Sequence, residues 1–359
     1  MKKRIINFVI LFFYSVICIY ANGLGEVSKE IELYPDTQKH KEFEQEMQIK
    51  YNIVVAPISF GTEAYDFVYI DSDTIIIAKS LQLIEVKLST NELKYIEFPE
   101  EWNEKVITGL RNLNYDSINN SIHMTVRERR INGGIGESYY ILYLHNYMWE
   151  TFDELGENID SYLYDSENML IYIQQYKLNE SGPEKFELDP EWNNVIRTVT
   201  VFDLHKREVI NCIELPHEIK AVLCMYGYPL KVLASVRSNK IENRYHYVIF
   251  DTATNTTSFF PEIIANMIDG NTVISSLGYY TSLNDEFCFL GIEYGRGRNS
   301  AIALLNLLAN TREVVALGDF PYRIHNIKQI AEGKYGFMVW TPNIFGGHGQ
   351  SFLCFWDYP

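Results

Sequence analysis

The chain has 359 residues, with 31 Lys+Arg against 47 Asp+Glu and a formal net charge of −16. A surface this acidic repels nucleic acid and anionic membranes, because binding a phosphate backbone depends on releasing counterions to clustered Lys and Arg. Hydrophobic residues make up 47% and aromatics 14%, enough for a large core, and closed β architectures reach this length as single units.

The N-terminus combines a basic start (Lys2, Lys3, Arg4), an apolar run from Ile5 to Ile19 and a small-x-small site at Ala21–Gly23. Residues 1–23 are therefore expected to be a secretory signal peptide. The run falls short of the roughly 20 residues that a spanning helix needs, and bulky Ile17 before Cys18 is unlike an acylation site. The expectation is an exported protein, periplasmic or secreted, with no stable membrane span after cleavage. Cleavage leaves 28 basic residues against 47 acidic ones, a balance of −19.

Residues 24–50 read as an N-terminal extension with one short helix over Asp36–Lys50. Phe43 and Met47 stand four apart there, and the helix is expected to pack on the outside of the repeats or to stay loose. From Tyr51 to Pro359 the pattern becomes short strand, turn, short strand. "LIEVKLSTNELKYIEFP", "VTVFDLHKREVINCIELP" and "YVIFDTATNTTSFFP" alternate apolar and polar residues around a turn. Asp203, Asp251 and Asn306 stand where a short polar side chain can accept backbone N–H groups. The strand after each turn stops at an apolar-Pro pair: Phe98-Pro99, Leu215-Pro216, Phe260-Pro261 and Phe320-Pro321. Proline cannot donate to a further ladder rung.

Aligned, these hairpins give equivalent positions near Lys87, His145, Asp203, Asp251, Asn306 and Asp357, with gaps of 58, 58, 48, 55 and 51 residues. "YDSINNSI" from Tyr115 and "YDSENMLI" from Tyr164, 49 residues apart, read as tight turns between inner strands, with a weaker echo from Tyr280. An all-β unit repeated at this period predicts an all-β, six-bladed β-propeller of four-stranded antiparallel blades over residues 51–359. The last unit lacks its outermost strand, and Ile53–Ala56 is expected to supply it, so that an N-terminal strand closes the last blade. Cys212, Cys224, Cys288 and Cys354 each sit in an apolar run and are expected to be core thiols; an exported chain also permits disulfides, so their pairing stays open.

The plan of "VFDLHKREVINCIELP" resembles the generic blade of WD-repeat, quinoprotein-like and six-bladed TolB-type propellers. The Gly-His and Trp-Asp pairing of true WD repeats is absent except for Trp356-Asp357. No residue set matches a quinone-cofactor or calcium-lactonase site. The resemblance implies a fold and no specific functional family, and no cofactor.

In such a blade the A–B and C–D turns lie on one face of the disc, and the B–C and D–A connections on the other. Here the former are short and several B–C connections are long, which marks the second face as the working surface. Its loops carry Arg129, Arg130, Trp192, Arg296, Arg298 and His348, a candidate ligand-binding set in which guanidinium groups suit carboxylates and Trp192 suits a sugar or aromatic ring. His217, His325 and His348 share that face, but read as ordinary imidazoles rather than a metal site. Glu100, Glu101, Glu104, Asp160 and Glu218 stand at the D–A entrances. The expected role is a binding or scaffolding module for a protein or glycan of the cell envelope. The alternative is a carbohydrate-active hydrolase or lyase using carboxylates and arginines at the central funnel.

Overall fold

A computed structural model describes residues 32–33, 38–59, 64–79, 81–100, 102, 106–129, 135–156, 159–178, 195–237, 245–259, 274–282, 287–294, 299–306, 311–331, 333–341 and 350–357. The expected signal peptide lies outside the described residues. The chain opens with β1 (Glu32–Leu33), α1 (Gln38–Tyr51) and β2 (Ile53–Ser59). Four-stranded sheets then follow one after another. The first is β3 (Ala64–Tyr69), β4 (Thr74–Lys79), β5 (Gln82–Lys87) and β6 (Glu92–Ile96). The second is β7 (Val106–Asp116), β8 (Ser121–Arg129), β9 (Ile135–Tyr143) and β10 (Met148–Thr151). The third is β11 (Ile159–Asp165), β12 (Leu170–Leu178), β13 (Val195–Asp203) and β14 (Glu208–Glu214). The fourth is β15 (Ile219–Tyr226), β16 (Lys231–Arg237), β17 (Tyr245–Asp251) and β18 (Thr256–Phe259). The fifth is β19 (Ile274–Ser282), β20 (Phe287–Tyr294), β21 (Asn299–Asn306) and β22 (Thr311–Phe320). Finally β23 (Arg323–Ala331), β24 (Lys334–Thr341) and β25 (Gln350–Asp357) join β2 and β1 in a sheet ordered β1-β2-β25-β24-β23.

Among the described residues, five sheets have the expected four strands and the remaining one has five, which corrects the expectation of uniform blades. The extra strand is β1, which pairs Glu32 with Ser59 and Leu33 with Ile58 on the outer edge of β2. Ile53, Val54 and Val55 of β2 pair with Trp356, Phe355 and Cys354 of β25.

The repeat has a register behind it. The third strand of each sheet ends on a residue paired with the first residue of the second strand: Lys87↔Thr74, Tyr143↔Ser121, Asp203↔Leu170, Asp251↔Lys231, Asn306↔Phe287 and Asp357↔Lys334. In the second sheet the equivalent residue is Tyr143, two before the expected His145, because β9 stops before its turn begins. Outermost strands end at or just before the apolar-Pro pairs, β14 at Glu214, β18 at Phe259 and β22 at Phe320.

The twice-written phrase is a capped turn. Asp116 Oδ1 accepts the amides of Ile118 (2.9 Å) and Asn119 (3.3 Å), and Asp165 Oδ1 accepts those of Glu167 and Asn168 (both 3.1 Å). Asp251 does the same for Ala253 (2.9 Å) and Thr254 (3.1 Å), and Asp203 accepts from Lys206 (2.9 Å). The last residue of each such turn takes a positive φ, as at Asn91, Asn120, Tyr147, Met169, Arg207 and Asn255. That conformation turns the chain into the next strand, and among residues with a side chain Asn is one of those that tolerate it best.

Apolar layers fill the gaps between neighbouring sheets. Second strands are buried on both faces, so β4 ("TIIIAK") is buried at every position instead of alternating. Val68, Ile76 and Leu83 of the first sheet pack on Leu110, Ile122 and Met124 of the second. Tyr139 and Ile141 of the second meet Ile171, Ile173 and Phe202 of the third. Met338 and Leu353 of the last sheet pack on Phe67, Ile75 and Ile84 of the first. Each fully buried aliphatic side chain of this kind stabilises by about 1.5–3 kcal/mol.

α1 is part of the core rather than loose. Phe43 and Met47 are buried against Phe352, and the Tyr322 hydroxyl donates to Glu46 (3.1 Å). The helix begins two residues after Asp36 and includes Tyr51, whose ring sits edge-on to Phe320 at 5.0 Å.

Polar ties join the innermost strands. Asp66 of β3, 3% exposed, accepts the Leu113 amide of β7 at 2.6 Å and pairs with Lys328 Nζ of β23 at 2.7 Å. Lys328 also donates to the Leu113 carbonyl at 2.5 Å. One ion pair, buried on its Asp66 side and partly exposed at Lys328, thus ties the last sheet to the first and second. Between the second and third sheets, His123 bonds Tyr139 Oη and Ser121 Oγ (3.2 Å) beneath the stacked ring of Tyr164 (3.9 Å), while Tyr164 Oη donates to Asp116 (2.8 Å). Burial holds the His123 imidazole down to about 4, with Asp116 opposing.

The core-thiol expectation holds for Cys224 and Cys354, which are buried, but not for Cys212, which is exposed. Cys212 lies on β14, an outermost strand with exposed positions along most of its length. The side chain of Cys288 lies outside the described residues.

Candidate functional site

Connection lengths separate the two faces. A–B and C–D connections are four residues throughout, except for two residues between β23 and β24. B–C connections range from two residues, between β4 and β5, to sixteen, between β12 and β13. A tight capped turn leaves no room for variation, whereas the opposite face is free to carry ligand-specific loops.

At the loop-face end of the gap between the second and third sheets, charged side chains replace the apolar layer. Arg127 of β8 pairs with Gly109 of β7 on one side and Glu137 of β9 on the other; Arg111 of β7 pairs with Thr125 of β8. Cross-strand partners share a face, so these side chains stand on the face whose Tyr139 and Ile141 meet the third sheet. Arg127 Nε is 3.6 Å and Arg111 Nη1 3.9 Å from Glu137 Oε1, and Thr125 Oγ1 donates to Glu137 Oε2 at 3.5 Å. Burial raises the Glu137 carboxyl above its ordinary range; Arg111 and Arg127 pull it down, and Asp160 pushes it up.

Asp160, near the start of β11, accepts Gln174 Nε2 at 2.8 Å. Its charge opposes the lowering that burial imposes on Arg197. Arg197 itself donates to the Ile219 carbonyl at 3.2 Å. On the facing surface of the third sheet, Gln175 Nε2 donates to the Leu155 carbonyl (2.5 Å), and Thr200 Oγ1 donates to Gln175 (2.8 Å).

Of the sequence-predicted set, Arg129 is exposed at the end of β8, two residues beyond Arg127 and on the same side of the strand. Arg130, Trp192, Arg296, Arg298 and His348 lie outside the described residues. His217 is exposed, 3.3 Å from Glu218, and the side chain of His325 lies outside the described residues. Glu100 is exposed and Glu101 and Glu104 fall outside; of the entrance carboxylates, Asp160 is the one whose charge acts on Glu137. Sequence reasoning did not single out Arg111, Arg127 or Glu137. The alternation in "TVRER" puts Arg127 and Arg129 on one side of β8, but only strand pairing brings Arg111 and Glu137 to them.

No family model matches the sequence, and no curated protein matches it. Two solved structures of glucose dehydrogenase superpose at a TM-score of 0.51 and 9% identity. One covers 86% of this chain and 99% of its own, the other 84% and 98%. The fold is a β-propeller. Acylaminoacyl peptidase from Pyrococcus horikoshii matches over 80% of this chain at 14% identity and a TM-score of 0.48; the chain spans 45% of that protein's length. TolB from Acinetobacter baumannii matches over 70% of the propeller chain and 52% of its own, at 13% identity and a TM-score of 0.41. At these identities the likeness is one of fold. No helix among the described residues is long and apolar enough to cross a membrane.

Proposed function

We propose that this chain is an exported binding or scaffolding module of the cell envelope, working through the loop face of a six-bladed propeller. Residues 1–23 serve as signal peptide, 24–50 as a helical extension, and 51–359 as the propeller. The five-stranded sheet acts as the sixth blade, with β2 closing the ring; its pairing with β25 and its packing on the first sheet support this.

The observation that carries the functional reading is a cationic stripe in an acidic protein. Arg111, Arg127 and Arg129 stand on the loop-face half of one sheet in a chain of net charge −16. Together with Arg130, Trp192, Arg296, Arg298 and His348, which the sequence assigns to B–C connections, this surface suits an anionic partner, protein or glycan. The test is charge reversal at Arg129, Arg130, Arg296 and Arg298, with retention on isolated cell envelopes as readout. Loss of retention is expected, and undiminished retention overturns the reading.

A second reading, acid–base chemistry on a carbohydrate, is favoured by one observation. The Glu137 carboxyl is raised by burial, with the charge of Asp160 acting in the same direction, as a general acid requires. Glycan turnover that disappears in Glu137→Gln would support it.

A further inference from the structure

We propose that the loop-face end of the cleft between the second and third blades is a subsite for the single carboxylate of a small acidic sugar. The inference deepens the binding reading above and rests on it. Two guanidinium groups share one carboxylate there, and neither is committed to it. The separations from Glu137, 3.6 Å for Arg127 and 3.9 Å for Arg111, exceed the roughly 2.7–2.9 Å of a charge-assisted hydrogen bond. Asp160, whose carboxylate accepts the neutral Gln174 amide and keeps its charge, brings the cluster to two arginines against two carboxylates.

Two buried donors lack acceptors. Arg127 Nε has no hydrogen-bond partner, and neither does Thr198 Oγ1, although Thr198 is 6% exposed. Buried polar atoms are satisfied in the great majority of cases, so two open donors mark a place for an acceptor-rich group. Thr198 pairs with Gln175 in the ladder and shares its face, the one that reaches Leu155 at the cleft.

There is also room. Gly109 is buried beside Arg127, and a Cβ built there meets nothing within 4 Å. The fork of Arg127 matches a carboxylate in two-point geometry. A cluster whose charges balance suits a monoanion better than a phosphate dianion, which Glu137 and Asp160 would both repel. Thr125 beside Arg111, and Thr198 and Gln175 on the facing side of the third sheet, offer hydroxyl and amide groups, which suit sugar hydroxyls rather than an apolar tail.

The experiment is calorimetric titration of the purified chain with glucuronate, glucose, acetate and inorganic phosphate. Glucuronate is expected to bind, with the other three at least roughly tenfold weaker, about 1.4 kcal/mol. Arg127→Lys, which keeps the charge and loses the fork, and Gly109→Leu, which fills the space and leaves every charge in place, should each weaken glucuronate by a similar factor. Far-ultraviolet circular dichroism establishes that both variants fold. Glucuronate failing to bind the parent chain, or binding both variants equally well, overturns the proposal. Acetate matching glucuronate overturns its sugar component. Gly109→Leu leaves the loop arginines intact, so envelope retention in that variant separates failure of the subsite from failure of the binding module.

Discussion

Buried His123 and partly buried Lys328 show how single groups are set by their surroundings. The His123 imidazole is held neutral by burial, its pKa lowered from 6.5 to about 4. The unfolded chain therefore takes up a proton between those values that the folded chain does not, and stability falls as pH drops from 6.5 towards 4. The loss amounts to roughly 3 kcal/mol across that window. Urea unfolding at several pH values should show this slope, and His123→Asn should flatten it; an unchanged slope would place the titrating group elsewhere. Lys328 has the opposite sensitivity, to loss of its partner. Lys328→Met leaves Asp66 without its cation in a nearly dry site, an expected cost of about 3–5 kcal/mol. Asp66→Asn added to it should cost less than the sum of the single changes, because the two groups are in direct contact.

At the scale of the element, the capped turn is the recurring device, and its copies are not equivalent. Asp116 is buried and holds two amides, the Asn119 side chain and the Tyr164 hydroxyl of the next blade. Asp251 holds two amides in an exposed turn. Asp116→Ala is expected to cost about 2–3 kcal/mol because it removes a buried carboxylate that holds two amides, the Asn119 side chain and the part-buried Tyr164 hydroxyl, and Asp251→Ala about 1 kcal/mol. Thermal unfolding of the two variants gives the order directly, and equal costs would mean that the contact to Tyr164 contributes nothing. The same comparison explains why "YDS" is written twice: each copy caps its own turn, while Tyr164 of the second also braces Asp116 of the first.

For the whole molecule, the question is where the ring is held. β2 pairs with β25, α1 packs Phe43 and Met47 beneath it, and Lys328 reaches Asp66 across the inner strands. Placing proline at both Val54 and Val55 removes two backbone donors next to β25. In an alternating antiparallel ladder at least one of them is in use. The expected loss is about 3 kcal/mol or more in urea unfolding. No shift would mean that the last sheet holds its place without β2.

The period, the turn chemistry and the strand stops were legible in the sequence because each is local. Aspartate before a tight turn and proline after an outer strand arise from neighbours a few residues away. The second sheet shows the limit, since "YLHNYM" offers no aspartate at its turn, and the pattern points to His145 where the register lies at Tyr143. Cys212 shows another: "INCIEL" reads as a core strand, yet it is the outermost of four, and an outermost strand has exposed faces. The cluster of Arg111, Arg127 and Glu137 belongs wholly to tertiary structure. Its members are 16 and 10 residues apart along the chain, and they meet because antiparallel pairing sets three strands side by side on one face of a blade.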